Sequence, residues 1–112
     1  MSSVSTIKTV TVEDLAAAQQ RGERIVDVRE RFEFDSGHIP GVEHVAMALV
    51  PLRIDEFRGK RPVWVVCESG NRSWQVADYL SRHGVEAYNV NGGMSAWRAA
   101  GFRQESGVGV AS

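Results

Sequence analysis

The chain is poor in several things at once. In 112 residues it holds one cysteine, three prolines and three histidines, and 13 Lys and Arg nearly cancel 14 Asp and Glu, for a formal net charge of −1. One cysteine cannot close an internal disulfide, and with scattered histidines it makes no credible metal set. Balanced charge gives no global field for nucleic acid or acidic lipid. The longest apolar run, Val45 to Leu52, is eight residues long and contains Pro51, too short to span a bilayer. The first ten residues lack the apolar core of a signal peptide. These absences point to a cytoplasmic protein, with no nucleic acid and no membrane among its partners. A lone thiol stays reduced in that setting.

What is present is ordinary for a globular chain, with hydrophobic content of 43% and charged content of 24%. Residues 1–112 read as one domain, without repeat or low-complexity block. Ile7 to Val10 is a short strand candidate. Thr11 then caps a helix with acidic residues in its first turn, which Gly22 closes. Arg24 to Val28 is a second strand, apolar enough for the inside of a parallel sheet. Arg29 to Phe34 reads as a charged turn with two aromatics over the sheet edge, with Arg29 paired to Glu30 or Glu33. Gly37 to Gly41 is a loop, Val42 to Ala46 a third strand, and Leu49 to Phe57 a short helix ended by Gly59. Pro62 to Cys67 is the fourth strand and Ser73 to His83 the next helix, burying Val76, Ala77 and Leu80. Ala87 to Val90 is the fifth strand. Gly92-Gly93 turns into a last helix over Met94 to Ala100, in which Trp97 is core, and the tail from about residue 103 is expected to fray. Alternating strands and helices imply an α/β fold: a mostly parallel five-stranded sheet with helices on both faces.

In such sheets the working groups lie beyond the carboxyl ends of strands, and the only cysteine is there. An apolar run, Val63 to Val66, arrives at Cys67. Glu68, Ser69, Gly70, Asn71 and Arg72 follow, then Ser73 at the mouth of a helix. The loop N–H groups and the helix N-terminus then face the sulfur and favour a thiolate. Arg72 is read as the loop's cation, able to hold an anion, against a plain salt bridge to a nearby acid. Ser73 either donates to the sulfur or only caps the helix. Gly70 and Asn71 supply backbone shape, since both tolerate positive φ.

Three stretches resemble the rhodanese-like family: Asp27-Val28-Arg29-Glu30 with Gly37-His38-Ile39-Pro40-Gly41; Cys67-Glu68-Ser69-Gly70-Asn71-Arg72-Ser73; and Val90-Asn91-Gly92-Gly93-Met94-Ser95-Ala96-Trp97. The resemblance implies sulfurtransferase chemistry without a cofactor, with Cys67 catalytic as a persulfide carrier and residues 68–73 binding the substrate. The partners it implies are a small-molecule sulfur donor such as thiosulfate or a persulfide, and a cyanide, thiol or protein acceptor. In it, Asp27 and Arg29 are chiefly structural and His38 is a loop brace; His44 and His83, as lone histidines, are read apart from it as surface or core fill. Phosphatase-like relatives of the fold place five residues between cysteine and arginine, and here four intervene, which suits a sulfur atom better than a phosphate. The alternatives are a catalytically idle rhodanese-like binding module and, less favoured, a phosphatase or arsenate reductase. Two positions depart from the commoner pattern: Glu68 stands where a basic residue is usual, and Trp74 where alanine is. Glu68 is expected to set an acidic charge beside the sulfur and oppose a dianionic donor, and Trp74 to wall the site's mouth or pack under a loop.

Overall fold

Apolar β-branched segments and glycine-closed segments alternate along the chain, and they fold as strands and helices in turn. The computed structural model describes residues 7–59 and 61–107. Strand β1 (Lys8–Val10) leads into helix α1 (Val12–Gln20), followed by β2 (Arg24–Asp27), α2 (Arg31–Ser36) and β3 (Glu43–His44). Two 3₁₀ segments, Met47–Leu49 and Pro51–Glu56, precede β4 (Val63–Val66), α3 (Asn71–Arg82), β5 (Ala87–Val90) and α4 (Gly93–Ala99). The strands form one sheet in the order β1-β5-β4-β2-β3, and each neighbouring pair is parallel. This is the α/β architecture expected from the alternation.

Successive strand residues point to opposite faces, so the central strands of the sheet feed two cores. Val63, Val65 and Cys67 enter the layer shared with Val76, Ala77 and Leu80 of α3. Trp64 and Val66 enter the other, with Leu15 of α1, Phe34 of α2 and Met94 and Trp97 of α4. Cys67 therefore belongs to the α3 face, and its neighbour Glu68 is thrown toward α4.

Five local readings change. The charged stretch after β2 is a helix start, not a turn: Glu30 caps α2, and the Glu33 carboxylate accepts the Glu30 N–H at 3.0 Å. Phe34 goes under the sheet while Phe32 stays 74% exposed. The third strand shrinks to Glu43 and His44, and the helix expected over Leu49 to Phe57 is 3₁₀ in form, broken at Arg53 (φ −117°, ψ 22°). The helix after the cysteine loop starts at Asn71, because Gly70 takes the capping position in the left-handed region, φ 104°. Asn71 itself has no positive φ. Finally, residues 103–107 are tied down. Glu105 and His38 exchange backbone hydrogen bonds of 2.8 and 2.7 Å, and the Trp97 indole donates to the Arg103 carbonyl at 2.9 Å. Residues 108–112 lie outside the described residues.

The Gly92-Gly93 turn presses backbone to backbone on the cysteine loop. Met94 N–H donates to the Cys67 carbonyl at 2.8 Å and Ser95 N–H to the Glu68 carbonyl at 3.0 Å. A Cβ on Gly93 (φ +52°) would lie 2.2 Å from the Cys67 carbonyl oxygen. Overlap with backbone and a left-handed φ act together, so Gly93→Ala should cost about 2–4 kcal/mol. A urea melt measures this; an unchanged midpoint would mean that the turn does not clamp the loop.

Candidate active site

The α3-face position of Cys67 brings its sulfur beneath the first turn of α3. Gly70 N–H donates to Sγ at 3.1 Å and Ser73 N–H at 3.3 Å, and the Sγ–Ser73 Oγ distance is 3.3 Å. The Ser73 hydroxyl in turn donates to Asn89 Oδ1 at 2.6 Å. Burial pushes the thiol up, but the Ser73 hydroxyl and the amides of Ser73, Gly70 and Ser69 outweigh it, so Cys67 sits below its ordinary value. The cysteine is fully covered, while Ser69 and Asn71 stand exposed at the loop's rim.

Arg72 leaves the same turn toward α2 and makes a bidentate pair with Glu33, at 2.7 and 2.9 Å. The Arg72 bonds hold Glu33 at about 2, against burial, which raises it. A depressed carboxylate contributes its stability in full above its unfolded value near 4.5 and loses it as pH falls toward 2, so this clamp is closed throughout the neutral range. Arg72 is raised above its ordinary value, chiefly by Glu33, and its charge reaches Cys67 as well. The loop cation thus has the acid partner of the plainer reading. Glu33, expected on Arg29, belongs to Arg72.

Arg29 is buried on the other side of the sheet end. It bonds the Asp27 carboxylate at 2.9 to 3.2 Å, the Gly37 carbonyl at 2.7 Å and Glu68 Oε1 at 3.2 Å. The second Glu68 oxygen accepts from Ser95 Oγ at 3.0 Å and from Arg98. His38 stacks on Phe34 with ring centroids 3.8 Å apart, and its Nδ1 lies 2.8 Å from the Phe34 carbonyl, which is a bracing role. His44 Nε2 lies 2.7 Å from the Arg29 carbonyl. Trp97 is core, and Trp74 is half exposed, sealed under no loop. Among the described residues no three His, Cys, Asp or Glu side chains stand close enough to hold a metal, and no helix is long and apolar enough to cross a membrane.

A family model for the rhodanese-like domain matches residues 11–100. The chain belongs to the rhodanese-like family. It is 35% identical over 100 residues to a protein named thiosulfate sulfurtransferase GlpE of Pseudomonas syringae, covering 88% of this chain and 93% of that one. It is 37% identical over 73 residues to a putative sulfurtransferase, YtwF, of Bacillus subtilis, covering 65% and 71%. A rhodanese-like domain protein from Staphylococcus aureus superposes with a TM-score of 0.79 at 33% identity, over 90% of this chain and 99% of that one. A protein described as a possible tyrosine phosphatase, from Rhodopseudomonas palustris, gives 0.83 at 28% identity, over 92% and 88%. Relatives named sulfurtransferases place this rhodanese-like chain in a family of sulfur-transferring enzymes.

Of the six loop residues expected around the sulfur, Ser69, Gly70 and Ser73 face it through amides or hydroxyl, and Arg72 acts by charge from its seat on Glu33. The side chain of Asn71 is exposed at the rim. Glu68 does not set an unmatched acid beside the sulfur: its carboxylate is held by Arg29, Arg98 and Ser95, on the α4 side. Asn89, which residue order did not single out, is the additional member. Its signal was an amide amid the otherwise apolar run Tyr88 to Val90.

Two outcomes follow from this arrangement. An alkylation-rate titration of Cys67 should give a midpoint below the free-thiol value of ~8.5, and Ser73→Ala should move it up; equal midpoints in the two proteins would remove the hydroxyl from the electrostatics. Glu68→Arg would crowd a third cation onto Arg29 and Arg98 and leave both less well matched. It should destabilise the fold by roughly 2–4 kcal/mol in a denaturant melt instead of improving anion capture. A variant as stable as the wild type, with faster thiosulfate turnover, would overturn that assignment.

Proposed function

We propose that this rhodanese-like chain moves a sulfane sulfur from thiosulfate or a persulfide donor to cyanide or a thiol, small or protein-borne, through a persulfide on Cys67. The observation that carries the reading is the convergence of neutral donors, the amides of residues 69, 70 and 73, on a single sulfur that the Ser73 hydroxyl oxygen also meets at 3.3 Å. Such a cradle favours a soft monoanion, which both a thiolate and a persulfide are. In the first half-reaction the Cys67 thiolate attacks the outer sulfur of thiosulfate. A bond forms between Cys67 Sγ and that sulfur, the old sulfur–sulfur bond breaks, and sulfite leaves with its electron pair. In the second, the acceptor's lone pair takes the outer sulfur, and the bonding pair returns to Cys67 as thiolate. Charge balances in each step, and no cofactor is needed. Cys67 is covered, and Ser69 and Asn71 are the exposed residues of its loop.

The phosphatase reading has in its favour one structural neighbour described as a possible tyrosine phosphatase. Against it, four residues separate Cys67 from Arg72, and the Arg72 fork that would grip phosphate is closed on Glu33. The idle binding-module reading has to leave the lowered thiol without a use. Intact-mass measurement after incubation with thiosulfate should show one added sulfur atom on the wild type, none on Cys67→Ser, and release of that sulfur by cyanide. Sulfur transfer by the serine variant, or Cys67-dependent hydrolysis of an aryl phosphate that outpaces sulfur transfer, would overturn the proposal.

A further inference from the structure

A buried amide in a sheet needs a reason, because its polar atoms lose water on folding. Asn89 is 5% exposed on β5, directly opposite Val65 of β4, and shares the α3 face with Ala87 and Cys67. Its oxygen accepts the Ser73 hydroxyl in a 2.6 Å bond, shorter than the 3.3 Å from that hydroxyl to Cys67 Sγ.

A hydroxyl has one proton, and that count sets the logic. While Ser73 donates to Asn89, it can only accept from Cys67, and that arrangement fits the thiol, S–H to Oγ. For the hydroxyl to donate to a thiolate, its proton must turn to the sulfur. Its oxygen then faces Asn89 with lone pairs, which a carbonyl cannot satisfy and an amide N–H can. Asn is a side chain that offers both groups from one position, by a half-turn about its last bond. We propose that Asn89 is a positioning residue that works through Ser73: its amide turns as Cys67 gains or loses its proton, so that the Ser73 hydroxyl is fully bonded beside either form of the sulfur. The assignment draws its purpose from the sulfur-carrier reading, in which a resting Cys67 thiol has to lose its proton before its sulfur can attack a donor.

Other charges near the sulfur are matched. Arg72 of α3 faces Glu33 of α2, with Glu30 at the start of α2 also felt by Arg72, while Arg29, Asp27, Glu68 and Arg98 pair among themselves on the α4 side. Cys67 is thus the group whose proton Ser73 follows.

The test follows the Asn89 side-chain amide by nitrogen-edited NMR through a pH titration of the whole chain, beside iodoacetamide alkylation of Cys67. The amide resonances should move with the same midpoint as alkylation. The movement should vanish in Cys67→Ser and lose most of its amplitude in Ser73→Ala, since the signal passes through that hydroxyl. Asn89→Leu leaves the hydroxyl only the sulfur to donate to, so its alkylation midpoint should fall at or below the wild type. Amide resonances that stay flat through the Cys67 midpoint, or move as far in Ser73→Ala, would overturn the proposal. So would an Asn89→Leu midpoint above the wild type. If the leucine variant does not fold, the NMR titration decides alone. Both readouts follow a proton, not a sulfur atom. A chain that passes them yet takes no sulfur from thiosulfate sinks the transfer reading alone, and one that takes sulfur but fails them sinks only the relay.

Discussion

The site depends on the contact between the Gly92-Gly93 turn and the first two carbonyls of the cysteine loop. For amides to point at a sulfur, their peptide planes must turn over, and the carbonyls at the loop's entry are then directed outward. Buried carbonyls without partners are costly. Here the N-terminal amides of α4 take them, Met94 on Cys67 and Ser95 on Glu68. One helix end satisfies the outside of the loop while another, α3, supplies amides to its inside. Gly93 allows the approach, and Gly70, φ 104°, lets the chain turn back into α3. Removing either helix end would leave the cradle with unpaired backbone.

A second layer of restraint is ionic. Arg29 has almost no exposed surface, and a buried guanidinium is tolerable only with matched charge and filled hydrogen bonds. Asp27, Glu68 and the Gly37 carbonyl provide both, so one side chain ties together the ends of β2 and β4 and the loop before β3. Glu68 passes the link to α4 through Arg98 and Ser95. The acid next to the cysteine thus acts in the scaffold, and the Arg72–Glu33 pair does the same between α3 and α2.

Much of this was legible in residue order. Continuous apolar runs and closing glycines gave away the strands and most helices, and the thiol's place after a buried strand marked the site. The misreadings have specific physical causes. Helix α2 carries three charged residues in six and shows no apolar stripe, so only its Glu30–Glu33 capping pair could have revealed it. The third strand is short because only Glu43 and His44 pair with β2, and the segment after it, opened by Pro51 and broken at Arg53, is 3₁₀ in form. Glu68 was placed beside the sulfur by sequence distance, although strand alternation already sends residues 67 and 68 to opposite faces. Asn89 lies 22 positions from Cys67, and parallel register alone brings them together. The tail's anchoring on His38 depends on a long-range backbone bridge with no local pattern.

The way charge is distributed bears on which anions such a site can serve. Around Cys67 Sγ the contacts are dipoles, and the nearby full charges occur as closed pairs. Dipoles fixed at about 3 Å stabilise a monoanion with little reorganisation and without adding a net charge to the site. A dianion in the same place gains less from them, because the nearest cation of the loop, Arg72, must let go of Glu33 before it can meet the second charge. With thiosulfate as donor, the second charge stays on the sulfite end, at the exposed rim, while the transferred sulfur enters the cradle as part of a monoanion. A phosphoryl group cannot divide itself in that way, since its charged oxygens surround the atom under attack. On the sulfur-carrier reading, the Arg72–Glu33 clamp and the short loop therefore act in the same direction: the interior accepts one anionic sulfur and leaves the rest of the donor in water.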